Sequence, residues 1–167
     1  VEMEGTSPLP EAQLDRFLFN VLIDYLSEDD EVEVVRRTTA KPGLSIEPVF
    51  TAEEVIAIQG LVRDVPVSDD VVRYAVKLVA SSRPNIEGAP DFINQYVNWG
   101  AGTRAAQALV LAAKALALWE GRSYVSQEEI NTLAKPVLRH RILLNYRAEA
   151  EGKTVETIIE DLLATSR

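Results

Sequence analysis

The sequence predicts a mainly α chain: a helical bundle from about residue 51 onward, preceded by a short α/β segment of one helix and one strand. Three observations predict this. Cap residues stand repeatedly ahead of stretches with helical apolar spacing. One run near the start, Phe17-Leu18-Phe19-Asn20-Val21-Leu22-Ile23, is apolar almost without interruption. Finally, 47% hydrophobic and 26% charged residues over 167 positions make an ordinary globular composition, which excludes disorder as the main state.

Along the chain, Gly5, Pro8 and Pro10 lead into a short helix from Pro10 to Asp15, with proline placed to open it. The apolar run that follows reads as a strand buried on both faces. Such a strand needs a sheet, and the rest of the chain does not read as one, so its partner strands are expected outside it. Ser27 before Glu28-Asp29-Asp30-Glu31 caps a helix running through Arg37. Lys41-Pro42-Gly43-Leu44 and Pro48 form a linker, and Thr51-Ala52-Glu53-Glu54 is a capping box.

Ser68-Asp69-Asp70 opens the next helix, with Val71, Val72, Ala75, Leu78 and Val79 facing inward and Pro84 beyond its end. Residues 85–98 read as a loop. Thr103 to Glu120 is the dominant helix, with Leu109, Val110, Leu111, Leu116, Leu118 and Trp119 on nearly every side, which places it at the centre of the bundle until Gly121 ends it. Ser126-Gln127-Glu128-Glu129 caps another helix, Pro136 begins or kinks the next through Leu144, and Thr154 to Ala164 closes the chain.

Charge and composition exclude several functions. Seventeen Lys and Arg against 26 Asp and Glu leave a net charge of −9, so the broad positive surface that nucleic acid requires is missing. Without cysteine, and with one histidine, neither disulfides nor a zinc site is expected. The longest apolar stretch, Ala105 to Ala113, falls well short of the ~20 residues of a membrane span. No leader pattern precedes the first helix, and a reducing, cytoplasmic setting is the expectation.

Three tempting motifs fail. Gly152-Lys153-Thr154 imitates the end of a phosphate loop, but Arg147 stands where another glycine is required. Gly100-Ala101-Gly102-Thr103-Arg104-Ala105 fits the loose dinucleotide fingerprint, and Tyr96 to Trp99 could pass for its leading strand, yet Tyr124-Val125 is too short to be the second one. His140 reads as a partly exposed structural histidine with no evident base or nucleophile beside it.

Two arginines sit in unusual places. Arg104 lies in the first turn of the central helix, where a cation opposes the helix dipole; with the free amides there and the flexible Gly100 and Gly102, it could complete a phosphate site or be a solvated surface residue. Arg16 is anchored just before the apolar run, where it could stabilise a transferring phosphoryl group on a neighbouring subunit or pair with Asp15 or Glu11.

Taken together, the block from Glu4 to Phe17 (Glu-Gly-Thr-Ser-Pro-Leu-Pro-Glu-Ala-Gln-Leu-Asp-Arg-Phe), Gly100 to Ala105, and Val137-Leu138-Arg139-His140-Arg141 resemble the MoxR family of AAA+ ATPases. The resemblance implies the C-terminal part of such an enzyme: residues 1–26 as the closing edge of the α/β core, 27–50 as a connecting helix and linker, and 51–167 as the helical lid domain. It implies ATP and Mg as cofactors of the intact parent, with the phosphate loop, the Mg-binding motif and the sensor-1 asparagine preceding Val1. The chain alone is then expected to be inactive, and no metal ligands are expected within it. Arg16 corresponds to the arginine finger acting in trans, and Arg104 to sensor 2, with Gly102 and Thr103 in the same nucleotide-binding motif. The implied partners are neighbouring subunits of a ring, commonly a hexamer, and proteins with von Willebrand factor A domains, in chaperone-like remodelling. Two other readings remain: a non-enzymatic, acidic helical protein-interaction module, and a dinucleotide-binding fold around Trp99 and Tyr124.

Overall fold

The computed structural model describes residues 9–40 and 47–166. The linker residues Lys41 to Leu44, and Glu4 to Pro8 of the first motif block, lie outside them. Helices α1 (Glu11–Leu14), α2 (Glu28–Thr39) and α3 (Ala52–Asp64) lead into the packed part of the molecule. That part comprises α4 (Asp69–Ala80), α5 (Asp91–Tyr96), β1 (Val97–Trp99), α6 (Thr103–Trp119), α7 (Gln127–Leu138), β2 (Leu143–Leu144), α8 (Tyr146–Ala150) and α9 (Val155–Thr165).

The predicted caps hold. Ser27, Thr51, Ser68, Ser126 and Thr154 each accept a first-turn backbone N–H, and Thr51 and Ser126 close capping boxes with Glu54 and Glu129. Gly121, at φ +71°, ends α6 in the left-handed conformation. Its N–H donates to the Leu118 carbonyl and that of Arg122 to the Ala117 carbonyl, a paired closure that glycine adopts without strain.

The core lies among α4, α6, α7 and α9, with α6 packed against both α4 and α7. Its buried face differs from the expected one. Ala105, Ala108, Ala112, Ala113 and Ala117, together with Leu109, face inward, whereas Leu111 is exposed and Trp119 is 88% exposed. Small side chains let the neighbouring helices approach the α6 backbone, so the larger residues stand on its outer side. Tyr74 of α4 joins the inward set, its hydroxyl donating to Asn131 Oδ1 of α7 at 2.5 Å.

Two further expectations are corrected, and a third meets no partner here. Phe17 to Ile23, read as a strand paired outside this chain, runs as irregular chain without a ladder among the described residues, and Ile23 is 90% exposed. Pro136 lies inside α7 instead of opening a helix through Leu144; the chain turns after Leu138, and Leu143–Leu144 pairs antiparallel with β1. Residues 85–98, read as loop, contain α5 and the start of β1. This two-stranded antiparallel sheet also removes the dinucleotide reading, which needs a parallel sheet around the glycine motif.

Exchange of Ala113 for valine is expected to destabilise the fold by about 1–3 kcal/mol through overpacking, whereas Leu111→Ala costs under about 1 kcal/mol. Urea denaturation of both variants checks the assignment of the inner face.

Candidate functional site

The site forms where the start of α6, the turn after α1 and the end of α7 meet. The β1–β2 pair fixes this geometry: Trp99 pairs with Leu143, which brings the segment leading into α6 beside the chain leaving α7. Gly100 is set by contact rather than by flexibility. A Cβ there would stand 2.2 Å from the Ser82 carbonyl oxygen, while Ser82 Oγ, fully buried, accepts the Ala101 N–H at 2.9 Å. Gly102, by contrast, has open space around it and occupies the cap position of α6.

The α6 start differs from those of the other long helices. α2, α3, α4, α7 and α9 each carry a side-chain cap and acidic residues in their first turn; α6 has neither. Its free amides therefore carry an uncompensated positive field. Arg104 adds a full positive charge there, its side chain 55% exposed. Thr103 is exposed as well, and borders an apolar groove with Val72, Val76 and Val110.

Asp15 ties this helix start to the preceding segment. Arg104 Nη1 donates to Asp15 Oδ2 at 2.8 Å, and Arg141 Nε donates to Asp15 Oδ1 at 3.0 Å. Arg141 is the anchor: its side chain is 2% exposed, and Nη2 also donates to the carbonyls of Asp15 at 2.9 Å and Phe17 at 2.6 Å. Nη1 donates to the Val137 carbonyl of α7 and, at 3.4 Å, to that of Leu18. Arg139 Nη1 reaches the Asn20 carbonyl at 2.7 Å, and the Asn20 N–H donates to the Pro136 carbonyl at 2.8 Å. Residues 15–20 are thus laid along the end of α7 by backbone carbonyls, which depend little on side-chain identity.

Burial works against the Asp15 carboxylate, but the hydrogen bonds from Arg104 and Arg141 outweigh it and hold its pKa below the usual range. His140 Nε2 lies 3.1 Å from the Phe17 carbonyl, a contact that requires the proton on Nε2. Its Nδ1 is buried with no hydrogen-bond partner among the described residues, and burial holds the imidazole pKa below its ordinary value.

The predicted residues therefore separate into two groups. Gly102, Thr103 and Arg104 share the α6 start, where Arg104 is paired rather than simply solvated. Arg16 is exposed, and its side chain has no hydrogen bond or ion pair among the described residues: of the two carboxylates expected to pair with it, Asp15 is engaged by Arg104 and Arg141, and Glu11 does not meet it. Arg141 carries no sequence signal of this role: the expected helix runs past it to Leu144, and nothing local marks it as buried. The described residues contain no cluster of three or more histidine or acidic side chains able to hold a metal, and no helix long and apolar enough to cross a membrane.

The profile of the AAA lid domain family matches residues 89–162, a span that encloses the α6 start and Arg141. The chain is 36% identical over 165 residues to the uncharacterized protein YeaC of Bacillus subtilis, covering 98% of this chain and 49% of that protein. It is 33% identical to the chaperone MoxR1 of Mycobacterium tuberculosis, covering 99% of this chain and 44% of the relative. A crystal structure assigned as an ATPase from Cytophaga hutchinsonii superposes with a TM-score of 0.90 at 39% identity, over 98% of this chain and 50% of the other. The chain spans about half the length of the curated relatives it matches.

Two measurements test the site. Gly100→Ala should destabilise the fold by about 2 kcal/mol, because the Ser82 backbone must move, while Gly102→Ala costs about 1 kcal/mol or less; thermal unfolding separates them. The stabilisation from Asp15 is complete above the ordinary carboxylate range and is lost as pH falls through its lowered folded pKa. Protonation of His140 adds a loss that begins below the ordinary imidazole range. The NMR shift of the Asn20 amide should therefore move to its undocked value in acid, and Arg141→Ala should produce that shift at neutral pH.

Proposed function

We propose that this chain, a C-terminal part of a MoxR-family AAA+ ATPase carrying the AAA lid domain, supplies the lid and sensor-2 element coupling ATP binding and hydrolysis to remodelling of protein partners. One observation carries the reading: the α6 start, within the lid match, is uncapped, lacks acidic residues and bears a half-exposed arginine. Helix amides and a guanidinium on one edge suit a terminal phosphate, the most highly charged part of ATP.

In this reading Arg104 engages the γ-phosphate, and the amides of the Gly102–Thr103 turn complete the contact. The nucleotide supplies the phosphoryl group and Mg its charge neutralisation, the metal being held by residues other than those described. Residues 1–26 form the closing edge of the nucleotide-binding core. The exposed apolar run from Phe17 to Ile23 supports this, since a sheet edge would cover it. Arg16 acts as the arginine finger on the nucleotide of a neighbouring subunit, a role supported by its exposure and by the absence of a carboxylate partner among the described residues. Ring assembly, commonly hexameric, follows from that role, and von Willebrand factor A domain proteins are the proposed partners. The relative named as a chaperone supports the remodelling activity.

In the intact ATPase, Arg16→Ala should lower the turnover number by roughly 10²-fold or more with little change in nucleotide affinity. Arg104→Ala should weaken binding of a non-hydrolysable ATP analogue and lower turnover together. Steady-state kinetics with calorimetric titration checks both, and wild-type turnover in either variant removes the role given to that arginine.

A further inference from the structure

From the way the two oxygens of one carboxylate are shared, we infer that Asp15 is the exchangeable counter-ion of Arg104, a carboxylate that gives this arginine up to phosphate. The inference rests on the proposed role of Arg104 and adds a regulation to it. The two partners of Asp15 are unequal. Arg141, 2% exposed, binds Oδ1 and is also fixed by carbonyls of residues 15, 17, 18 and 137. Arg104, 55% exposed, meets Oδ2 through one hydrogen bond.

The asymmetry determines which pair can open. If Arg104 departs, Asp15 keeps its Arg141 partner and no buried charge is left alone, so the exchange meets little electrostatic opposition. If Arg141 departed, a buried guanidinium and several carbonyls would lose their partners together. Exposed ion pairs are weak, whereas a phosphate dianion at an uncapped helix start meets both the guanidinium and the helix amides. A resting pair that must open before the competent state forms lowers apparent affinity by the fraction of molecules held closed. Asp15 is thus a positioning residue: it acts on nucleotide only through Arg104, and it sets the nucleotide concentration at which the lid responds.

The test uses the intact ATPase and adenylyl imidodiphosphate with Mg, read as a dissociation constant by calorimetry. Asp15→Asn should tighten binding roughly two- to fivefold, the range that an exposed ion pair spans. In an Arg104→Ala background the same substitution should change nothing. Unchanged or weaker binding in Asp15→Asn, or equal tightening without Arg104, overturns the inference. If Arg104→Ala alone binds the analogue like the wild type, the role of Arg104 on which the inference stands is lost instead. Should Asp15→Asn impair folding, the titration of the Asp15 carboxyl carbon is followed by NMR in the wild-type ATPase with and without the analogue: it should move to higher pH on binding, because the carboxylate loses one of its two cations, and an unmoved titration overturns the inference.

Discussion

The buried guanidinium of Arg141 is the constraint on which the rest of the site depends. It follows α7, reaches the carbonyls of Asp15, Phe17 and Leu18, and accounts for one oxygen of the Asp15 carboxylate. A cation at this depth is tolerable only where its donors are satisfied, and five planar N–H groups need several acceptors in fixed positions. The chain from 15 to 18 supplies them. The position of the turn bearing Asp15 and Arg16 is therefore set by the requirement to solvate Arg141, not by the short helix α1, which buries none of its residues.

A second constraint fixes the other side. The alanine face of α6 allows close packing on α4 and α7, and Gly100 lies against the Ser82 carbonyl where no side chain fits. Together they set where α6 begins, and so where Arg104 emerges. The β1–β2 pairing joins the two constraints, since Trp99 and Leu143 are register partners one residue before Gly100 and two residues after Arg141. Glycine in this motif thus serves packing at one position and an open helix start at the other, a division that the sequence pattern does not reveal.

Much of the fold was legible because helix starts are local chemistry. Ser27, Thr51, Ser68, Ser126 and Thr154 announce their helices within four residues, and Gly121 announces an end. What depends on distant contacts was not legible. Which face of α6 points inward is decided by helix–helix approach, where alanine outcompetes leucine, so hydrophobicity alone placed Leu111 and Trp119 in the core. Phe17 to Ile23 has strand composition, but composition cannot provide a ladder. Pro136 lacks the N–H that a helix interior uses, yet α7 continues past it to Leu138, and its carbonyl is taken by Asn20. Of the site, Arg104 was found because a cation at a helix start is locally unfavourable. Arg141 was not, because its burial arises from a segment more than a hundred residues away in sequence.

Two adjacent residues on one turn have opposite fates, and the reason bears on assembly. Asp15 is neutralised twice over, while Arg16, next to it, has no partner among the described residues. Asp15 is taken by Arg104 and Arg141, and so is not available to Arg16 as a counter-ion. Because Arg141 holds the Asp15 backbone, Arg16 projects from a fixed base, so an external anion meets a guanidinium that must give up little additional freedom to bind it. A positive group that is exposed, without a partner among the described residues and set on a held backbone is what the proposed action on another subunit's phosphate requires, and its availability follows from interactions that Arg16 itself does not make.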